Sequence, residues 1–194
     1  MTYFTADQHF GHFNIIRLSH RPFATVEEMD DELLACWNAK VKDGDVVYVL
    51  GDLFFHAAAV EPILARLKGR KHLILGNHDG SWTKRIDLSR YFESVQTLKE
   101  VNVDGRLLTL CHYPMLAYPE SRRGYMIYGH IHNNTGDDYW PLIQRRSRMF
   151  NAGVDVNDFA PVTFDELVAN NRRFNAAHAH EAKADPFTLY CAER

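Results

Sequence analysis

Short apolar runs of strand length recur along this chain, and each of them ends in a cluster of polar residues. Longer stretches with helical periodicity lie between these runs. Strands are predicted at 2–6, 46–50, 72–75, 107–111 and 125–128, and helices at 26–40, 57–68 and 81–90. Because strands and helices alternate, the pattern predicts a layered α/β fold.

Local signals mark the ends of several elements. Thr25-Val26-Glu27-Glu28 is a capping box, and Thr163-Phe164-Asp165-Glu166 is a second one that predicts a short last helix to about Asn171. Asp104-Gly105 separates apolar stretches at 95–103 and 106–111, which is a strong hairpin signal. With further strands at 125–128 and 149–151, the second half is predicted to form a mostly antiparallel sheet.

The polar clusters that end the strands carry carboxylate, imidazole and amide side chains. They are Asp7-Gln8-His9, Gly51-Asp52, Gly76-Asn77-His78-Asp79 and Gly129-His130-Ile131-His132, with His112 alone between the last two. Open α/β sheets bind ligands at the carboxyl ends of their strands, so these side chains are expected to meet around metal ions. A lone histidine is more often a hydrogen-bonded surface or core residue. Composition predicts Gly-Asn-His-Asp only about 0.003 times, however, and the ordered set therefore favours the metal site.

In the identity and order of these motifs, the chain resembles the calcineurin-like metallophosphoesterases from about Thr2 to Leu167. The compact, single-domain bacterial branch looks most similar, because Asn14-Ile15-Ile16, Arg21-Pro22-Phe23 and the stretch 150–155 also match. The resemblance implies an α/β (α+β) fold, a four-layer αββα sandwich of two mixed sheets. Residues 1–175 are expected to form this one domain, and residues 176–194, which lack apolar periodicity, a C-terminal tail.

Carried over motif by motif, the resemblance implies two divalent metal ions that share the carboxylate of Asp52. Asp7, His9 and His132 would complete the first site, and Asn77, His112 and His130 the second. Nitrogen and oxygen donors without a thiolate suit transition metals better than Ca or Mg. Manganese is the expected metal, with Fe, Zn, Ni and Co as alternatives. The glycine before each ligand is expected to let the backbone turn sharply.

His78 is the motif histidine that this assignment leaves without a metal. It is expected to lie over the phosphate, where it would stabilise the transition state or protonate the leaving oxygen. Asp79 is expected to hydrogen-bond its other ring nitrogen and keep it cationic. The alternative is that His78 caps a following helix. Weaker candidates for substrate contacts are His12, Arg21 as a phosphate clamp, Arg122 and Arg123, because charged loop residues are usually solvated.

Charge and composition narrow the classes of protein further. A net charge of −3 argues against a protein dedicated to coating nucleic acid. No apolar run approaches the ~20 residues of a membrane span, and no signal peptide is visible. Cys36, Cys111 and Cys191 are widely spaced and are expected to be reduced thiols of a cytoplasmic protein.

The expected function is therefore that of a metal-dependent phosphoesterase, which hydrolyses a phosphodiester, or else a monoester, by attack of a metal-bridging hydroxide. The segments between the motifs are too short for a cap domain, so an open groove that accepts small aryl phosphodiesters is predicted. A nuclease of the same superfamily, acting on DNA or RNA, is one alternative, but no basic groove is evident. The other is a non-catalytic scaffold with this fold, which the intact His78 disfavours. The oligomeric state is left open.

Overall fold

The computed structural model of the protein describes residues 1–55 and 60–179. Strands and helices alternate through most of this part of the chain. They are β1 Thr2–Thr5, α1 Phe13–Leu18, α2 Val26–Lys40, β2 Val46–Val49, α3 Val60–Leu64, β3 Arg70–Ile74, β4 Phe92–Gln96, β5 Leu98–Val103, β6 Arg106–Cys111, β7 Tyr125–Tyr128, α4 Trp140–Gln144, β8 Met149–Asn151 and α5 Phe164–Ala177.

Two four-stranded sheets form the centre of the molecule. The first has the order β1-β2-β3-β4 and is wholly parallel, where a mixed sheet was expected. The second has the order β5-β6-β7-β8, and only its β5–β6 hairpin is antiparallel. The prediction of a mostly antiparallel second half is therefore wrong. The long connections after β6 and β7, which contain the metal motifs, give the chain room for parallel crossovers.

Alternate residues of each strand pack into different apolar layers. One cluster lies between the sheets, a second lies between the first sheet and α2, and a third lies between the second sheet and α4. Representative members are Phe4, Leu50, Leu110 and Ile127 in the first cluster, Leu33, Trp37, Val47 and Val49 in the second, and Met126, Met149, Trp140 and Ile143 in the third. This order of helix, sheet, sheet and helix confirms the αββα sandwich.

The local capping and hairpin signals are confirmed. The Thr25 side chain accepts the backbone N–H of Glu28 at the start of α2, and Thr163 and Glu166 form a complete capping box at the start of α5. Asp104 and Gly105 connect β5 and β6 with φ angles of 50° and 79°. Both residues lie in the left-handed region that a two-residue hairpin turn requires.

Three predicted elements differ from the structure. The stretch 95–103 is divided between β4 and β5, which belong to different sheets. The helix at 81–90 is wrong: turns precede a 3-10 turn at Leu88–Arg90, because the side chain and carbonyl of Asp79 hold Trp82 and Thr83 in a turn. Helix α5 extends into the predicted tail to Ala177, since Phe174 packs edge-on against Trp140 with ring centroids 5.7 Å apart.

Other predictions fall partly on residues that are not described. Positions 57–59, which begin the predicted helix 57–68, and positions 180–194 of the tail, which include Cys191, lie outside the described residues. Cys36 and Cys111 are free thiols. Within the described ranges, no helix is both long and apolar enough to cross a membrane.

Candidate metal centre

Polar side chains from the carboxyl ends of four strands converge at one edge of the two packed sheets. They form two groups, in each of which the ligand atoms lie within 4.8 Å of one another. Asp7 and His9 follow β1, Asp52 follows β2, His112 follows β6, and His130 and His132 follow β7. The first group contains Asp7, His9 and His132, and the second contains Asp52, His112 and His130. Each group offers the mixed nitrogen and oxygen donors that a divalent transition metal prefers.

The carboxylate of Asp52 lies between the two groups. Its Oδ2 atom is 3.6 Å from Nε2 of His9 in the first group and 3.4 Å from Nε2 of His112 in the second. Its Oδ1 atom accepts the backbone N–H of His78 at 2.9 Å, which fixes the orientation of the carboxylate. One oxygen atom of Asp52 therefore lies near ligand atoms of both groups.

The ring orientations of the histidines also fit metal binding. His112 Nδ1 lies 2.7 Å from the carbonyl oxygen of Leu50, and its Nε2 lies 3.0 Å from Oδ1 of Asn77, which brings this predicted ligand to the second group. His9 Nε2 is buried, and none of the described residues forms a hydrogen bond with it. A buried imidazole nitrogen without such a partner is uncommon in a protein interior, and its position beside Asp52 is compatible with a metal ligand.

Burial and neighbouring charges shift the pKa values of these groups strongly. Burial raises the pKa of Asp7 to about 6 and lowers that of His9 to about 2, so His9 is neutral and can ligate. Burial alone would raise the pKa of Asp52, but the hydrogen bond and charge of His112 outweigh it and lower the value to about 2. The same pairing, acting against burial, raises the pKa of His112 to about 9.

Five of the seven proposed ligands themselves adopt left-handed backbone conformations. Such φ angles cost roughly 1 kcal/mol or more for a residue with a Cβ atom, and they concentrate at functional sites. The angles are 61° at Asp7, 55° at His9, 53° at Asp52, 73° at His130 and 50° at His132. These conformations were not predicted from the sequence. The expectation that the preceding glycines make the turns holds for Gly51, whereas Gly76 and Gly129 have no positive φ.

The motif glycines are required mainly for space. Gly51 does have a φ of 88°. Gly76 and Gly129 instead lie against ligand carboxylates: a Cβ atom on Gly129 would lie 2.7 Å from Oδ2 of Asp7, and one on Gly76 would overlap the carboxylate of Asp52. The backbone approaches the ligands so closely that no side chain fits.

His78 lies over the two groups with its side chain 40% exposed, and its Nε2 is 3.9 Å from Oδ2 of Asp52. Asp79 does not make the expected hydrogen bond to the His78 ring. Its buried carboxylate accepts N–H groups from the backbone of Asp52, Leu53 and Gly76 and from the Trp82 indole, at 2.8 to 3.1 Å. Among the described residues, none of its hydrogen bonds goes to the His78 ring. Asp79 thus joins the loops after β2 and β3, and with no helix at 81–90 His78 caps none.

Arg21 is also placed differently from its predicted role as a phosphate clamp. Its buried side chain donates to both carboxylate oxygens of Asp155 at 2.8 and 3.1 Å, and to the carbonyls of Asp7 and Gln8. Asp155 in turn lies 2.8 Å from Nδ1 of His132, which leaves Nε2 of that ring for a metal. Sequence reasoning missed Asp155, although it belongs to the 150–155 stretch that carried part of the resemblance.

An open cleft of about 540 Å³ extends from the metal ligands between α1 and the loop after β7. Its walls combine six histidines with apolar and amide side chains, and His12 is among them. They include His9, His12, His20, His78, His130 and His132, together with Ile15, Leu18, Asn133, Asn134 and Tyr139. No lysine or arginine of the described chain lines this cleft. Arg122 and Arg123 are exposed elsewhere, and Arg123 pairs with Glu120.

Comparison with known proteins gives a consistent result. The sequence model of the calcineurin-like phosphoesterase family matches residues 2–185. An uncharacterized protein of Methanocaldococcus jannaschii is 35% identical over 169 residues, which are 86% of this chain and 88% of the relative. The Gene 66 protein of Mycobacterium phage L5 is 28% identical over an alignment that covers 93% of this chain and 96% of the phage protein. A protein of unknown function from Aquifex aeolicus has a crystal structure with a TM-score of 0.69 at 29% identity, covering 86% of this chain and 96% of that one.

Proposed function

The chain belongs to the calcineurin-like phosphoesterase family, and from that premise we propose that it hydrolyses small phosphodiesters with two divalent transition-metal ions. Asp7, His9 and His132 would hold the first ion. Asn77, His112 and His130 would hold the second ion, and the carboxylate of Asp52 would bind both ions. When bound, such ions neutralise phosphoryl oxygens and activate water as a nucleophile. The position of Asp52 Oδ2 near ligands of both groups supports the shared assignment.

The roles of the protein residues follow from their placement. The half-exposed imidazole of His78 is the group that we assign to the leaving oxygen, as a proton donor or as a hydrogen-bond donor in the transition state. Its backbone is fixed by Asp52, and the loop that carries it is fixed by Asp79. Asp79 is therefore a positioning residue in this proposal. His12, which stacks on Phe55 with ring centroids 3.6 Å apart, forms part of the substrate cleft.

The proposed preference for diesters rests on the composition of the cleft, because no lysine or arginine is among its described lining residues. A phosphomonoester brings a second negative charge, which enzymes usually pair with an arginine or lysine. Of the arginines predicted for this role, Arg21 has its guanidinium already bound to Asp155, and Arg122 and Arg123 do not line the cleft. A diester needs no such partner. A long nucleic acid, which is held mainly by cations along its phosphates, fits the cleft poorly for the same reason.

A matched pair of aryl phosphate esters tests this proposal. We expect kcat/KM with Mn²⁺ to be higher for the bis-aryl diester than for the aryl monoester. Asp52→Asn should abolish both activities and reduce the metal content measured by elemental analysis, which shows that the activity arises at this site. A tenfold preference for the monoester would overturn the diester assignment. Two ions per chain retained in Asp52→Asn would overturn the shared ligand.

The choice of manganese is tested separately by reconstitution. Protein stripped with a chelator is loaded with Mn, Fe, Co, Ni, Zn or Mg in parallel, and diester hydrolysis is measured at equal metal occupancy. Because the donors are imidazole, carboxylate and amide groups, we expect Mn²⁺ to support higher turnover than Mg²⁺. Equal or higher turnover with Mg²⁺ would contradict the expectation.

A further inference from the structure

A second cleft, of about 520 Å³, lies at the opposite end of the second sheet from the metal centre. Arg106 begins β6, Tyr125 begins β7 and Arg148 directly precedes β8. The metal ligands instead follow the carboxyl ends of β6 and β7. A ligand in this cleft would therefore not compete with a phosphate ester at the metal centre.

Aromatic side chains form one wall of this cleft. Tyr125 packs edge-on against Phe164 with ring centroids 5.0 Å apart, and it stacks on Phe150 at 6.0 Å. Two guanidinium groups lie on this aromatic wall, Arg106 at 4.9 Å from the Phe164 centroid and Arg148 at 5.2 Å from that of Tyr125. Such stacking restricts both long side chains while leaving N–H groups available at the guanidinium edges.

The charge of the cleft is not balanced by its own carboxylates. Its described lining contains three arginines and one acidic residue. These are Arg106, Arg148, Arg172 and Asp165. Asp165 pairs with Arg106 at 3.1 Å. Arg148 donates to the carbonyl oxygen of Arg123, which is a neutral group. Arg172 projects from α5 without a carboxylate partner among the described residues. Three arginines and one aspartate leave two positive charges in a concave site, although the whole protein carries −3.

We propose that this cleft binds a nucleoside monophosphate, a small ligand that combines a phosphate group with a flat base. Guanidinium groups bind phosphate oxygens in pairs of parallel hydrogen bonds, and Arg148 and Arg172 would supply them. The aromatic wall, together with Val168 and Ala169 of α5, would contact the base. The volume lies in the range of small-molecule sites and is too small for an extended polyanion.

The experiment uses full-length protein with its metals bound and AMP, adenosine and inorganic phosphate as separate probes. Nuclear magnetic resonance shifts of the Val168 and Ala169 methyl groups report on the cleft, and phosphorus spectra verify that AMP stays intact. We expect AMP to shift both methyl groups saturably, with affinity that falls as salt is raised. Adenosine and phosphate, each with half of the contacts, should bind more weakly.

The variant Arg172→Gln should weaken AMP binding by about tenfold, since one charge-assisted contact is lost. Arg173→Gln is the matched control, because Arg173 is the next residue on α5 and pairs with Asp158 outside the cleft. Both variants should hydrolyse diesters normally. The proposal is overturned if AMP leaves the two methyl groups unshifted, or if it binds Arg172→Gln as tightly as Arg173→Gln. Tighter binding of a DNA oligonucleotide than of AMP would point to nucleic acid and overturn the small-ligand assignment.

Discussion

Replacing Asp79 by alanine should destabilise the protein rather than only slow its chemistry. The carboxylate of this fully buried residue accepts four N–H groups, three from the loops after β2 and β3 and one from Trp82. Each buried donor left without an acceptor costs about 1 kcal/mol or more. Four such losses sum to about 4 kcal/mol, which for a chain of this size lowers the melting temperature by roughly 8–16 °C.

Thermal and urea unfolding followed by near-UV circular dichroism measures this change, and the buried Trp82 contributes to the signal. Asp79→Asn should show an intermediate loss, because its one remaining oxygen can accept two of the four N–H groups. Metal affinity should fall in both variants, since Asp79 accepts the backbone N–H of Asp52, the ligand that we propose to be shared.

His78→Ala is the matched control, because it alters the neighbouring residue but removes a half-exposed ring. We expect its melting temperature to stay within about 2 °C of the wild-type value, its metals to be retained, and hydrolysis to fall by ~10²–10⁴-fold. The reasoning is refuted if Asp79→Ala melts within 2 °C of wild type and loses hydrolysis as His78→Ala does. That result would restore Asp79 to the role of a catalytic partner of His78.

Three further predictions concern positions around the site. Gly129→Ala should lose bound metal, as measured by elemental analysis, because the new Cβ would lie 2.7 Å from the Asp7 carboxylate, whereas Gly80→Ala, with nothing within 4 Å, should keep it. Arg21→Gln removes the guanidinium from the buried Asp155 carboxylate and leaves it only the contact with His132, so it should cost about 3 kcal/mol in urea unfolding; a loss below 1 kcal/mol would contradict this. Asp30 of α2 accepts the backbone N–H of Gly11, two residues after the proposed ligand His9. Burial raises the pKa of Asp30 to about 6, so the stability contributed by its protonated form, present below the unfolded value near 4, is lost as pH rises through 6. Wild type should therefore lose stability relative to Asp30→Asn between pH 4 and 6, and parallel urea midpoints over that range would refute it.

Local patterns in the sequence were sufficient to predict most of the strands, the N-terminal caps of α2 and α5, and the polar side chains that meet at the sheet edge. The reason is that Asp7, Asp52 and His112 each lie just past the carboxyl end of a strand, and the strands of an α/β sandwich align these ends. The position of a side chain relative to its own strand therefore also determines its position relative to the other ligands.

Strand pairing needed the tertiary structure. The stretch 95–103 has one continuous apolar pattern, yet β4 and β5 pair with β3 and β6 in different sheets. Nothing in a local pattern distinguishes one strand from two when both halves bury alternate residues. Likewise, the parallel direction of β7 and β8 depends on crossovers through long connections, which periodicity does not report.

The hydrogen-bond partners of the charged residues were decided by the fold alone. From the sequence Arg21 is a cation near a metal motif and Asp79 a carboxylate beside a histidine, so each was assigned to the substrate or the catalytic ring. In the structure Arg21 is bound to Asp155, 134 residues away, and Asp79 to backbone groups of another loop. A buried charge is stable only when nearby groups compensate it, and the packing of distant segments decides which groups are near. The sequence therefore shows which residues are charged, whereas the tertiary structure determines their partners.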